Sequence, residues 1–303
     1  MVVSKEQNPT YGGQAVLEGV MIRGQRHVSV AVRRPDGGVA LQCRPLSQLF
    51  TGRLRRVPLV RGTIMLVETL TLGLRALTYS ANVGLEKEDE ELGRGAIVGM
   101  LGFSLLFGIG LFFLVPVLAS RSLESGLGSD LASNIVEGVI RLALFLGYLL
   151  LIGRMRDIRR VFMYHGAEHM TIHAQERGDP LEITAVRKYR TAHPRCGTAF
   201  LLVVAVMAVV AFVFVGRDPF WWLILSRIVL IPVIAAASYE LLRLSGRYAT
   251  NPMVKFINAP SLALQSLTTR QPDDDQIEIA IAAMNQAIDA DEGRLPQPET
   301  GAS

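Results

Sequence analysis

The chain has 303 residues, of which 50% are hydrophobic and 19% are charged, and its formal net charge is +4. This apolar share exceeds that of an ordinary soluble domain and excludes a disordered chain, so the composition indicates a membrane protein. The positive charge is concentrated beside apolar segments, which argues against a nucleic-acid-binding protein.

Residues 1–59 are predicted to form a β-rich unit in the cytoplasm. Residues 1–10 are polar and contain no apolar stretch typical of a signal peptide, so we expect the N-terminus to stay in the cytoplasm. Val28, Val30 and Val32 alternate with less apolar residues, and residues 35–38 (PDGG) predict a hairpin turn before the next strand.

Two amphipathic segments are predicted outside the bilayer. Residues 60–93 are predicted to contain an interfacial helix, for which entering the bilayer remains an alternative, followed by an acidic linker at residues 86–91. Residues 246–303 are predicted to contain an interfacial segment, an amphipathic helix that docks on the cytoplasmic unit, and a disordered tail after Asp291. The acidic residues 273–275 are expected to cap that helix.

Four apolar stretches predict transmembrane helices, at residues 96–119, 135–152, 199–215 and 220–244. About 20 apolar residues are needed to cross the hydrocarbon of a bilayer as a helix, and three of the stretches have enough apolar length while the fourth nearly does. We therefore predict a mainly α-helical membrane protein with about four transmembrane helices, two in residues 94–153 and two in residues 199–245, and a small N-terminal β-rich cytoplasmic unit.

The distribution of arginine predicts how these helices are oriented. The link at residues 154–198 is rich in arginine, whereas the links after the first and third spans contain only Arg121 and Arg217. Because cytoplasmic loops are enriched in positive charge, we expect a multi-pass protein of the bacterial cytoplasmic membrane, with residues 154–198 and both termini in the cytoplasm. Cys43 and Cys196 are then expected to be free thiols.

The link at residues 154–198 contains four of the five histidines and is predicted to bind a metal. His165 and His169 are one helical turn apart, and Glu168 lies on the same side, where it could be a ligand or the catalytic base. The order H-x-x-E-H also occurs in the inverzincin metalloproteases.

A third histidine at the same spacing leaves an alternative open. Along a helix, His173 is about 12 Å from His165, too far for one ion to bind both. Either His165 and His169 form the pair and His173 supports them, or His169 and His173 form it with Glu176 as an extra ligand.

A turn before the third span is predicted to complete the site. Residues 193–197 (HPRCG) contain a proline and a glycine, so His193 and Cys196 are expected to face one point. Cys196 follows Arg195 at the start of a predicted helix, an environment that favours a thiolate. The predicted ligands of a divalent metal, with zinc preferred, are His165, His169, His193 and Cys196, and the predicted catalytic residue is Glu168.

Glu18, in an otherwise apolar predicted strand after Gly12 and Gly13, has two interpretations. It pairs with Arg23 or with an arginine of the 154–198 segment, or it reaches the metal as a ligand or base. The glycines lack the lysine of a Walker motif and the helix of a dinucleotide-binding motif, so no nucleotide partner is predicted.

Four separated motifs resemble a known family. Residues 12–21 (GGQAVLEGVM), 164–169 (YHGAEH), 193–198 (HPRCGT) and 272–276 (PDDDQ) resemble the hallmark motifs of the YqhQ family, or domain of unknown function 1385. The resemblance extends from residue 11 to about residue 288. It implies a bacterial membrane protein described as a predicted metal-dependent enzyme, and it implies no substrate. The chain has Met170 where the family pattern is expected to have lysine, so a cation at that position is not required.

Three functional hypotheses are consistent with these residues. The first is a membrane-bound metal-dependent hydrolase, with a peptidase as its narrower form. The second is a non-enzymatic membrane factor that binds other membrane proteins or the export machinery and contains a structural zinc. The third is a thiol enzyme that uses Cys196 and His193 without a metal.

Overall fold

The computed structural model describes residues 11–52, 57–85, 94–194, 196–248 and 251–294. Residues 1–10, the predicted acidic linker, Arg195 and the part of the predicted tail beyond residue 294 lie outside the described residues.

The N-terminal part of the chain forms an antiparallel sheet. Strands β1 (Gly12–Val16), β2 (Gly19–Arg23), β3 (His27–Arg33) and β4 (Val39–Pro45) pair in chain order. The predicted turn connects β3 to β4: the Arg34 N–H donates to the carbonyl oxygen of Gly38 (2.8 Å), and Gly37 has a φ of 92°, which glycine adopts without strain. The predicted small N-terminal β-structure is therefore confirmed.

Helices cover both faces of the sheet. Successive side chains of a strand point to opposite faces, so each strand contributes side chains to both contacts. One face packs on α2 (Val60–Leu85), and the other packs on α6 (Arg156–Arg177) and α11 (Asp274–Asp291). The side chains facing α2 include Met21, Val30 and Val32, and those facing α6 and α11 include Val20, Ile22 and Ala31. The sheet is thus the middle layer of this part of the protein.

Helix α11 is held at both ends. At its start, the Asp273 side chain accepts the Gln276 N–H (2.9 Å) and the Gln276 side chain accepts the Asp273 N–H (3.1 Å), which confirms the predicted acidic cap. At its end, the Asp291 carboxylate accepts backbone N–H groups of the β2–β3 turn, from Arg26 (2.9 Å) and His27 (3.0 Å). The predicted docking of this helix on the β-rich unit is therefore confirmed.

Among the described residues, three helices are long and apolar enough to cross a membrane. They are Gly95–Leu127, α5 (Asp130–Ile152) and Phe220–Ser245. The first consists of α3 (Arg94–Ile109), a π-helical turn (Gly110–Leu114) and α4 (Val115–Leu127), and the last is most of α9 (Phe220–Arg247). Phe103 and Leu106 are 72% and 71% exposed, so the surface of α3 is apolar. Such a surface suggests contact with lipid.

The remaining predicted span corresponds to a shorter helix, α8 (Gly197–Val213), which is apolar and has 17 residues. Short helices α1 (Gln48–Thr51) and α7 (Ile183–Val186) lie in the connecting segments, and α10 (Pro252–Thr268) packs against α8. Helix α6 begins four residues after α5 ends, so the predicted metal-binding segment lies next to the ends of apolar helices.

A cluster of charged side chains is buried among the apolar helices. The Glu137 carboxylate accepts hydrogen bonds from Arg141 (2.7 Å), Arg217 (2.9 Å) and Arg227 (3.0 Å). Asn134 Oδ1 also accepts from Arg217 (2.9 Å) and Arg227 (2.8 Å). Buried ionised groups need such partners, so this cluster connects α5 to α9 and to the loop before α9.

The cluster predicts that Glu137→Gln strongly destabilises the protein. The substitution removes the negative charge that compensates the buried arginines, and loss of one partner from a buried ion pair costs about 3–5 kcal/mol. Thermal unfolding of the purified full-length protein measures this loss. The control is Glu124→Gln, because Glu124 contacts Arg217 (3.1 Å) but its side chain is 32% exposed. Equal effects of the two substitutions would contradict the prediction.

Candidate metal centre

Helix α6 contains three histidines, His165, His169 and His173, at intervals of four residues. Asp157 in its first turn and Arg177 in its last turn interact favourably with the helix dipole, and Gly178 ends the helix with a φ of 73°. The ring centroids of His165 and His169 are 4.4 Å apart, so these side chains share a face as the spacing predicts. His173 lies one turn further along the helix.

Backbone carbonyl groups set the orientation of these imidazoles. His165 Nδ1 lies 2.9 Å from the carbonyl oxygen of Thr268, and His169 Nδ1 lies 2.6 Å from that of Thr191. A carbonyl oxygen can only accept, so each Nδ1 carries the hydrogen and each Nε2 of the neutral ring has a free lone pair. Histidines that bind metals are typically held in this way.

The first donor group consists of His165, His169 and Cys196, whose ligand atoms lie within 4.8 Å of one another. Cys196 Sγ is 3.3 Å from His165 Nε2. Cys196 is the N-cap of α8, and its sulfur accepts the Thr198 N–H at 3.3 Å. The sulfur thus lies at the positive end of a helix dipole and next to two imidazoles.

The second donor group consists of His173, Glu176 and His193, again with ligand atoms within 4.8 Å of one another. His193 Nε2 is 3.2 Å from Glu176 Oε1, and the rings of His173 and His193 are 4.5 Å apart. His173 Nε2 donates to the carbonyl oxygen of Ala192 (2.9 Å), which leaves its Nδ1 with the lone pair.

The structure differs from the sequence-based arrangement at His193. The turn at residues 193–197 does not direct His193 and Cys196 to one point: Cys196 lies with His165 and His169, and His193 lies with His173. The main chain of His193 is held by the Gln265 side chain, which accepts the His193 N–H (2.8 Å) and donates to the His193 carbonyl (2.9 Å). The thiol-enzyme hypothesis paired Cys196 with His193. In the structure, the Cys196 sulfur instead contacts the imidazole of His165.

Glu168 lies beside the first donor group. Its side chain is 3% exposed, and Oε2 is 3.5 Å from His169 Nε2. Burial raises the pKa of Glu168, and the nearby His165 and His193 oppose this shift. The carboxylate packs against Gly13 of β1, where a side chain would overlap with it. Gly13 therefore allows β1 to pack closely on Glu168.

The structure does not bring Glu18 to either donor group. Its carboxylate binds the Arg160 guanidinium with both oxygens, and Tyr164 OH donates to it at 3.2 Å. Arg23, the other partner considered, instead binds Glu68 (2.9 Å). Of the two interpretations of Glu18, pairing with an arginine or reaching the metal, the geometry favours pairing with an arginine of the 154–198 segment.

Sequence reasoning missed the groups that orient the histidine side chains. The carbonyls of Thr191, Ala192 and Thr268 belong to the backbone, and no side-chain pattern marks them. Gln265 could have been noticed, because it is an amide in the apolar segment that forms α10, and it is fully buried. A buried amide needs hydrogen-bond partners, which here are the backbone groups of His193.

Burial keeps several of these imidazoles neutral. It lowers the pKa of His169 and of His193, and it lowers the pKa of His173 to about 4. Neutral imidazole is the form that binds a metal ion, so at neutral pH these side chains are ready to act as ligands.

Comparison with known proteins identifies the family. Residues 57–290 match the family described as "Protein of unknown function (DUF1385)". The chain belongs to the DUF1385 family. It is also 33% identical over 296 residues to "Uncharacterized protein YqhQ" of Bacillus subtilis (strain 168), with 92% of each chain covered. No solved structure matches the chain. The family indicated by the sequence motifs is confirmed, and the DUF1385 match includes both donor groups.

The lowered pKa of His173 predicts acid sensitivity of chelator-treated protein. The pKa of His173 falls from its ordinary value of 6.5 to about 4 in the folded protein. Between these two pH values, His173 is protonated in the unfolded chain and neutral in the folded protein. This stabilising contribution is therefore complete above pH 6.5 and is lost as the pH falls. We expect the unfolding midpoint to fall between pH 7 and 5, and to fall less in His173→Gln. An unchanged slope in that variant would contradict the assignment.

The close packing at Gly13 predicts that Gly13→Ala destabilises the protein. The added Cβ would lie 2.6 Å from the carbonyl oxygen of Met21 and 2.7 Å from Glu168 Oε1. Overpacking of this kind costs about 1–3 kcal/mol. The matched control is Gly12→Ala, because a Cβ there has no atom within 4 Å. Unfolding midpoints compare the two variants, and the prediction fails if both are equally stable.

Proposed function

We propose that this chain is an integral protein of the bacterial cytoplasmic membrane with four transmembrane helices. Three helices with sufficient length and hydropathy, and the exposed apolar surface of α3, support this proposal. With 17 residues, α8 extends about 26 Å, close to the hydrocarbon thickness of about 30 Å. The arginines that follow α5 favour a cytoplasmic position for α6, for both donor groups and for the two termini.

We further propose that the protein is a metal-dependent hydrolase. The observation that carries this proposal is the convergence of His165, His169 and Cys196, with ligand atoms within 4.8 Å and imidazoles oriented by carbonyls. Histidine and cysteine are zinc ligands, and catalytic zinc sites use three protein ligands and keep a fourth position open. Bound zinc would supply Lewis acidity, polarising a carbonyl group and acidifying water.

Glu168 is the proposed general base. Its buried carboxylate lies beside Nε2 of His169, and its raised pKa makes it a stronger proton acceptor than an exposed glutamate. It would accept a proton at Oε2 from the attacking water and deliver it to the leaving group. A peptide bond is the narrower substrate proposal, supported by the H-x-x-E-H order of residues 165–169.

The second candidate function is a non-enzymatic membrane factor that binds other membrane proteins or the export machinery. The observation that favours it is burial, since His169 is 2% exposed and Cys196 is 7% exposed. Structural zinc sites are closed and use the same ligand types. In this case the metal would hold Cys196, at the start of α8, against α6.

Elemental analysis and ligand binding separate the two candidates. We expect the purified full-length protein to contain zinc, and His169→Ala to lose it from the first site. With cobalt(II) in place of zinc, an open coordination position would bind acetohydroxamate and change the visible spectrum. A spectrum that acetohydroxamate does not change would favour the structural role.

Glu168→Gln provides the catalytic test. The variant is nearly isosteric and keeps the proposed ligands, so we expect it to retain metal and to respond to acetohydroxamate like the wild type. Hydrolysis of fluorescent casein or of a nitrophenyl ester should fall about 100-fold or more, the usual contribution of a general base. Unchanged hydrolysis by this variant would remove Glu168 from the mechanism.

A further inference from the structure

The three histidines of α6, His165, His169 and His173, extend too far along the helix for one ion to bind all of them. His165 and His173 are two helical turns apart, and each has its own partner from beyond α6: Cys196 lies with His165, and His193 lies with His173. We propose that His173, Glu176 and His193 bind a second divalent transition-metal ion, so that the protein contains a two-metal centre. This inference deepens the proposed hydrolase function and rests on it.

The second donor group has the features of a prepared site. The ring of His173 is oriented by its hydrogen bond to the Ala192 carbonyl, as the rings of His165 and His169 are by other carbonyls. The main chain of His193 is fixed on both sides by Gln265. Two histidines with one glutamate are a donor set of catalytic zinc sites.

The two sites differ in chemistry and in exposure. The first contains the Cys196 sulfur, whereas the second offers imidazole nitrogen and carboxylate oxygen, which also suit manganese and cobalt. The Glu176 side chain is 28% exposed, while Cys196 is 7% exposed. We therefore expect the second ion to face the solvent, to exchange more readily and to lie on the side from which a substrate approaches.

The two groups are close enough to act on one substrate. The ring centroids of His169 and His193, one from each group, are 5.7 Å apart. Glu168 interacts electrostatically with His165 of the first group and His193 of the second, so its carboxylate lies near both. In two-metal hydrolases the ions stabilise the attacking and the leaving oxygen of one displacement. A substrate with a hydrolysable ester or amide bond fits this arrangement.

Cobalt(II) titration of the chelator-treated full-length protein tests the proposal, because the two sites have different spectra. Thiolate-to-cobalt charge transfer in the near ultraviolet reports the first site alone. Visible ligand-field absorption reports both. We expect the charge-transfer band to account for one equivalent of cobalt and total binding to reach two equivalents. Binding of a single equivalent by the wild-type protein would overturn the proposal.

Substitutions identify the residues that bind the second equivalent of cobalt. His173→Ala and Glu176→Gln should each bind one equivalent and keep the charge-transfer band. His193→Ala should behave in the same way, whereas a changed band in that variant would place His193 in the first site and overturn our assignment. The control is His27→Ala, which replaces the histidine outside residues 154–198 and should still bind two equivalents. Size-exclusion chromatography checks that each variant is folded.

The same titration distinguishes failure of the further inference from failure of the proposed function. Loss of one equivalent on Cys196→Ser, with the second site still occupied, is the expected result. Two equivalents without any thiolate band would refute the first site while leaving the second. Two equivalents retained in both His173→Ala and Glu176→Gln would refute the second site and leave the first.

Discussion

The hydrogen bonds between imidazole rings and backbone carbonyls are the interactions on which the candidate centre depends. A histidine side chain can turn either nitrogen toward a metal, and the ring is free to rotate unless something holds it. Carbonyls of Thr191, Ala192 and Thr268 hold the rings of α6, because each accepts the hydrogen of one nitrogen and leaves the other nitrogen as the donor. These carbonyls come from two segments that are distant in sequence from α6.

The architecture supplies those carbonyls by enclosing α6. One side of α6 packs on the sheet and on α11, and Gly166 allows the chain at Arg270 to approach the helix backbone closely. Thr191 and Ala192 lie along the histidine side of α6, and Cys196 is the N-cap of α8. Sheet packing, the α10–α11 connection and the start of an apolar helix therefore meet at the same helix, which explains why motifs far apart in sequence contribute to one place.

Local features were accessible from the sequence, and long-range features were not. Valine alternation and the PDGG turn predicted β3 and β4, the acidic run predicted the start of α11, and helical spacing predicted the pairing of His165 with His169. The position of His193 could not be predicted, because its main chain is bound by Gln265, which lies 72 residues away. For Glu18 the sequence left three partners open, namely Arg23, an arginine of the 154–198 segment and the metal, and only the fold singles out Arg160.

The arginine cluster around Glu137 has a consequence for biogenesis. Arg227 lies within an apolar helix, and an arginine in the middle of a lipid-exposed helix costs at least about 2.5 kcal/mol. The carboxylate that compensates it belongs to α5, which the ribosome completes well before α9. If these helices cross the bilayer as proposed, α9 becomes stable there only after it reaches α5. Folding of the membrane part is then completed late in synthesis, when α9 brings Arg227 to the Glu137 carboxylate, which Arg141 of the same α5 helix already contacts.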